Sequence, residues 1–196
     1  MTEHRQVRVV LSGGIGAGKS AVAEKLLARG IPVVHADMIG HAVLEPEGEA
    51  FHAVTAWWPE VLVAGRIDRS RLAGIVFADP HALKELESMT HPAIAARIHN
   101  LVAAESEAAV VVVELPLLFP LLGDGWVRVV VDAPMYARRR RLTDRGMTPA
   151  DIDARMAAQP SASEWTTAAD HVIHNNGTLE DLESEVDRFL VWVGSL

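Results

Sequence analysis

Short apolar runs alternate with stretches of helical spacing along most of this chain. Val7-Arg8-Val9-Val10-Leu11 is a β-branched run that reads as a buried strand, and residues 20–29 carry Val22, Leu26 and Leu27 at helical spacing. Residues 31–35 predict a second strand, with Pro32 suited to an edge or a strand start, and Asp37 falls at its C-terminal end. Residues 109–113 predict a third strand, apolar on both faces and therefore central, with Glu114 closing it. A fourth follows over 127–131 and ends at Asp132, and His171-Val172-Ile173-His174 predicts a short fifth. Helices are predicted over 136–145, 149–159 and, as an amphipathic segment, 179–193. Between Ile39 and about Glu107 the pattern is helical, with interruptions at Pro46, Pro59, Gly65, Pro80 and Pro92 and no confident buried strand. That segment is too long for one crossover, so a helical insertion is expected. The alternation predicts a three-layer α/β core with a five-stranded parallel sheet over 1–38 and 108–196, and a helical domain over 39–107.

The stretch between the first strand and the first helix changes the picture most. Gly13-Gly14-Ile15-Gly16-Ala17-Gly18-Lys19-Ser20 fits the phosphate-loop pattern G-x-x-x-x-G-K-[ST]. Backbone N–H groups of Gly14, Ile15, Gly16, Ala17 and Gly18 can curl around a di- or triphosphate, and the helix N-terminus adds its positive end. Lys19 is expected to reach the β- and γ-phosphates, and the Ser20 hydroxyl to ligate Mg²⁺. Strand, glycine loop and helix stand in the order the motif requires.

Composition narrows the class. The 196 residues carry 18 basic and 26 acidic side chains, a net charge of −8, which disfavours long nucleic acid as a partner. A nucleotide is still accommodated, because a phosphate loop uses backbone dipoles and one lysine. With no cysteine there is no disulfide framework, thiolate nucleophile or zinc–cysteine site. The polar start and the shortness of the longest apolar run, residues 108–113, lead to the expectation of a soluble cytoplasmic protein without a membrane span. A monomer is expected.

Other carboxylates and arginines then take candidate roles. Asp37, at a strand end, suits the orientation and deprotonation of an acceptor hydroxyl; its alternative is a helix N-cap for Met38 onward. Glu114 can hold Mg²⁺ through water or serve as a turn residue. Of Arg138, Arg139, Arg140, Arg141 and Arg145, the pair Arg141 and Arg145, four apart, shares a helix face and suits triphosphate charge, while the remainder read as a solvated face. His171 and His174 fall on opposite strand faces and read as structural, and the five tryptophans as core or domain-contact residues.

The ordered set of segments resembles the dephospho-CoA kinase family along nearly the whole chain. They are residues 11–20, Ala36-Asp37 with Ile39-Gly40-His41, Gly65-Arg66-Ile67-Asp68-Arg69 with Leu72, Val76 and Phe77, and the stretch Leu86 to His91-Pro92. Pro116 to Phe119, Arg145-Gly146, Gln159, Ala169-Asp170 and Val172-Ile173 with Asn175-Asn176-Gly177 complete it. The resemblance implies transfer of the γ-phosphoryl group of ATP to the ribose 3′-hydroxyl of dephospho-CoA, on a P-loop kinase core with a helical CoA-side domain and a lid over about 136–166. It implies Asp37 as the catalytic carboxylate, Arg141 and Arg145 as lid arginines, and Asn175 to Gly177 as the adenine-side loop. Arg69 and His91, in the matched segments, are the further substrate-side candidates.

The chain departs from the family pattern at several places. His35 stands where a first acid is usual, Glu114 where aspartate is usual, Ala95 where arginine is frequent and Pro120 where glutamate is usual. Ala162 and Trp165 occupy two usually basic positions after Gln159. Two other readings therefore stand beside the active kinase: a nucleotide- or CoA-binding protein of this fold with weakened catalysis, and a kinase for another small hydroxyl acceptor.

Overall fold

β-Branched residues decide where the sheet forms. In the computed structural model, which describes residues 6–115 and 121–196, β1 (Val7–Ser12), β2 (Val33–His35), β5 (Val110–Glu114), β6 (Val127–Asp132) and β7 (His171–His174) make a five-stranded parallel sheet in the order β2-β5-β1-β6-β7. All four valines of β5 are buried, as a strand covered on both faces requires. β1 lies between β5 and β6, with Leu11 opposite both Glu114 and Val129. Chain order therefore reverses at β1, the position where open parallel sheets place ligands beyond their strand ends. The expected sheet is present. The segment Pro116 to Pro120, with its Pro-Leu-Leu-Phe match, lies outside the described residues.

One face of the sheet is covered by α1 (Lys19–Ala28) and α9 (Leu179–Val193). Val9, Leu11, Val129, Val131 and Ile173 from the strands meet Val22, Leu26, Leu182, Val186 and Phe189 from these helices. Leu27, placed on the apolar stripe by spacing, is instead 47% exposed, because the stripe narrows to Val22, Ala23 and Leu26. Thr178 and Asp181 close a reciprocal capping box at the start of α9. α6 (Met135–Asp144), α7 (Pro149–Ala157) and α8 (Ala162–Thr167) follow β6, and α8 packs against it. α8 was not anticipated, although its signal is present: Ser161 and Glu164 form a second capping box.

The chain divides into two compact units, residues 1–34 with 105–196, and 35–104. The second contains α2 (Ala36–Ala42), α3 (Phe51–Trp57), a 3₁₀ turn at Pro59–Val61, α4 (Arg69–Val76) and α5 (Pro80–Ala104). β3 (Leu62–Val63) and β4 (Arg66–Ile67) add a small antiparallel hairpin with exposed residues, invisible to a search for buried strands. Ala64 and Gly65, at φ 48° and 78°, make its turn, and Asp68 caps α4 by accepting from the Ser70 and Arg71 amides.

Pro92 does not interrupt the helical pattern; it lies inside the continuous α5. A mid-helix proline costs about 3 kcal/mol. Against that, Ala82, Thr90, Ile98 and Val102 are buried along the helix, which packs on α2, α3 and α4. Burying an aliphatic side chain such as Ile98 or Val102 contributes about 1.5–3 kcal/mol, so packing outweighs the lost hydrogen bond. Pro80 likewise starts this helix rather than breaking it, since the first turn needs no N–H at that position.

Candidate active site

The phosphate loop joins β1 to α1, and the groups around it explain its glycines. Gly18 is the N-cap of α1 at φ 105°, in the left-handed region. A side chain there would also collide with the Asn175 amide, and one at Gly14 with the Arg138 guanidinium. Ala17 is buried, and its N–H closes a turn onto the Gly14 carbonyl at 3.1 Å.

The loop carbonyls are held from the α6 side and from the chain after β7. Arg141 Nη1 donates to the Gly16 and Ala17 carbonyls at 3.2 and 3.0 Å, and its Nη2 to the Asn175 carbonyl and Oδ1, both at 3.0 Å. Asn175 Nδ2 donates to the Ala17 carbonyl at 2.8 Å, and Asn175 is buried. Arg138 Nε donates to the Ile15 carbonyl at 2.9 Å; the Ile15 N–H, expected to face phosphate, instead donates to Gln159 Oε1 at 2.7 Å, just as the Ala17 N–H is taken by the Gly14 carbonyl. A trans peptide is planar, so a carbonyl drawn to one side turns the next N–H to the other. Donors on the Ile15 and Ala17 carbonyls thereby set the directions of the Gly16 and Gly18 N–H groups.

On the loop's functional residues, Lys19 Nζ donates to the Gly13 carbonyl at 2.8 Å. Ser20, exposed at the start of α1, donates from Oγ to Glu114 Oε1 at 3.2 Å. A hydroxyl and a carboxylate side by side suit a hard cation. Mg²⁺ takes one or two protein oxygens and fills its remaining positions with water and substrate phosphate, so no larger cluster is needed. Among the described residues no group of three or more His, Cys, Asp or Glu side chains could hold a metal.

The arginine run sorts by helix face. Arg138, only 8% exposed, and Arg141 are three apart and meet the loop; Arg139 pairs with Asp153 on α7, and Arg145, the C-cap of α6, is exposed. Burial pushes the Arg138 pKa down, opposed by the charge of Asp132. Burial also lowers that of Arg141, with Arg140 and Arg145 adding repulsion. Both guanidiniums stay cationic at neutral pH. Arg138 and Gln159 had no site role in the sequence reading. The signal for Arg138 was its three-residue spacing from Arg141 beside the buried Ala137 and Leu142.

Gly177 follows Asn175 and lies against the Asp181 carboxylate of the α9 capping box; its glycine leaves room for that carboxylate. In the second unit, Asp37 is the exposed second residue of α2, whose N-cap is His35, so Asp37 does not perform the capping role that was its alternative. Arg69 is the exposed first residue of α4, and His91 is half-buried on α5. Ala162 opens α8 and Trp165 is buried, so both positions that depart from the basic pattern have structural roles.

A glycine loop at the sheet's reversal point, running into a helix that begins Lys-Ser beside a strand-end carboxylate, defines a P-loop kinase. The dephospho-CoA kinase family model matches residues 7–181, and the chain belongs to this family. It is 40% identical to a dephospho-CoA kinase of Thermobifida fusca, over 92% of each chain. Among solved structures it is similar to a Thermus thermophilus protein (35% identity, TM-score 0.84, 95% and 97% of the two chains). It is also similar to a dephospho-CoA kinase from Campylobacter jejuni (26% identity, TM-score 0.70, 96% and 98%).

Proposed function

We propose that this protein transfers the γ-phosphoryl group of ATP to the ribose 3′-hydroxyl of dephospho-CoA, giving CoA and ADP in the last step of coenzyme A biosynthesis. Family membership over 7–181 supports the acceptor. The observation that carries the phosphoryl chemistry is the loop itself, with its carbonyls bound by Arg141, Asn175 and Arg138. N–H groups turned away from those donors are preorganised for phosphate oxygens, and such preorganisation is the main contribution a protein makes to phosphoryl transfer.

In this reading the polyphosphate occupies the loop, and Lys19 leaves the Gly13 carbonyl to meet the β- and γ-oxygens. Ser20 and Glu114 hold Mg²⁺, directly and through water. When bound, Mg²⁺ neutralises charge on the β- and γ-phosphate oxygens. Asp37 accepts the proton of the attacking 3′-hydroxyl and orients its oxygen. Arg69 and His91 serve the CoA side, Asn175 and Gly177 the adenine side, and Arg145, with its exposed guanidinium, meets triphosphate charge as part of a lid over about 136–166. We further infer a cytoplasmic monomer acting on small molecules, with neither nucleic acid nor membrane as partner. Among the described residues no helix is long and apolar enough to cross a membrane.

The test is ADP formation from Mg-ATP with and without dephospho-CoA, with the product identified by mass. A dephospho-CoA-dependent signal and a product heavier by one phosphoryl group are expected. ATP binding without turnover would instead favour a binding protein of weakened catalysis, and turnover with a different hydroxyl acceptor would favour another small-molecule kinase.

A further inference from the structure

Ile15 is the one loop residue held at both ends of its backbone by side chains from the α6–α8 region. Its carbonyl accepts from Arg138 Nε at 2.9 Å and its N–H donates to Gln159 Oε1 at 2.7 Å. The donor and the acceptor come from different places: Arg138 from the buried face of α6, and Gln159 from the turn between α7 and α8. Arg138 cannot relax far, because its guanidinium also fills the space above Gly14 and its backbone carbonyl lies 2.8 Å from where a Gly16 Cβ would be. Gln159 stands beyond the end of α7, where its N–H donates to the Met156 carbonyl at 3.2 Å, and its side chain meets the loop through the bond to Ile15, so that contact can be made or released without disturbing the helix core.

We propose that Gln159 is a positioning residue: together with Arg138 it clamps the Ile15 backbone and so sets the phosphate loop for nucleotide, tying the grip on phosphate to the docking of the segment after α7. The physical step is rotation of two rigid peptide units. With the Ile15 carbonyl held by Arg138, the Gly16 N–H is turned to the opposite side; with the Ile15 N–H held by Gln159, the Gly14 carbonyl is turned oppositely as well. That carbonyl accepts from Ala17 N–H at 3.1 Å and closes the loop's internal turn. Losing Gln159 therefore loosens both the peptide preceding Ile15 and the turn that depends on it. The inference rests on the nucleotide site proposed above and adds the residue that holds it in shape.

Gln159→Met tests it, since methionine keeps length and approximate volume but accepts no comparable hydrogen bond. Loss of one preorganising hydrogen bond should weaken Mg-ATP and Mg-ADP binding about tenfold. The melting temperature should fall by no more than about 4 °C, the cost of one such bond, the affinity for dephospho-CoA should stay at the parental value, and kcat at saturating ATP should fall no more than about threefold. The Ile15 amide should exchange with deuterium faster in the variant than in the parent. Nucleotide affinity within twofold of the parent would overturn the clamp, as would an equal loss of affinity for both substrates with a lowered melting temperature. A parental chain that binds no Mg-ATP would overturn the nucleotide site itself, and the clamp with it.

Discussion

Arg141→Met separates two jobs an arginine beside a phosphate loop can have. In the structure its guanidinium donates to the Gly16, Ala17 and Asn175 carbonyls and to Asn175 Oδ1, at 3.0–3.2 Å. After substitution Ala17 keeps the Asn175 amide as a donor at 2.8 Å, so the loss falls on Gly16 and on both Asn175 oxygens. At about 1 kcal/mol for each of two to three such acceptors, the fold should lose ~2–3 kcal/mol. For a chain of this size that corresponds to a fall of ~4–12 °C in melting temperature. Because the loop is loosened before any γ-phosphate is present, Mg-ADP should also bind ~10-fold more weakly, and its thermal shift should shrink accordingly. Thermal melts with and without Mg-ADP, and ADP titration calorimetry, read both effects. A melting temperature within about 1 °C of the parent, with ADP binding intact and turnover lost, would show that Arg141 acts on the γ-phosphoryl group alone and that the carbonyl contacts carry no weight.

Three further outcomes follow from the same structure. Asp37→Asn should retain ATP affinity while kcat drops ~10²–10⁴-fold in the dephospho-CoA assay; near-parental turnover would remove Asp37 from the proton-accepting role. Trp165 is buried with its Nε1–H unpartnered. Trp165→Phe should therefore melt at or near the parental temperature, whereas Trp165→Ala should lose ~3–5 kcal/mol by denaturant unfolding. A Phe variant as unstable as the Ala variant would contradict that account. His171 stacks on Trp192 at 4.4 Å, and burial lowers its pKa from 6.5, with Glu185 opposing and His174 assisting. Its neutral form is favoured in the fold, so this stability is present above pH 6.5 and is lost as pH falls through the folded-state value. Melting temperature should decline between pH 7 and pH 5, and His171→Phe should flatten that slope; an unchanged slope would exclude His171 as its source.

Much of the core was legible because its signals are local. Gly13 to Ser20 is readable from spacing alone, since a backbone that wraps an anion needs glycines and a helix that follows. Val110 to Val113 announces a central strand because only a strand buried on both faces tolerates an unbroken apolar run. α9 was readable from its amphipathic spacing over 179–193, and the capping box of Thr178 and Asp181 fixes its start in the structure. The misses have equally definite causes. Each strand of the β3–β4 hairpin is two residues long and mostly exposed, so it leaves no buried run of readable length. α5 passes through Pro92 because packing from Ala82 to Val102 outweighs one missing hydrogen bond. Ser161 to Glu164 carried the start of α8, but a single-turn signal is weak beside the longer helices around it.

The phosphate loop, the strands in their order of appearance and the residue types available for phosphoryl transfer were legible from residue pattern, because each depends on neighbours within a few positions, and the family was legible from the ordered set of such segments along nearly the whole chain. Which arginines face the loop was settled by packing. Helical spacing allowed Arg141 to be paired with Arg145 or with Arg138, and the burial of Ala137 and Leu142 turns the face bearing Arg138 and Arg141 toward Ile15, Gly16 and Ala17. It also brought Gln159 to the Ile15 N–H across 144 residues of sequence. Such contacts depend on how α6 and the turn after α7 pack beside the end of β1, and no local pattern of residues encodes that placement.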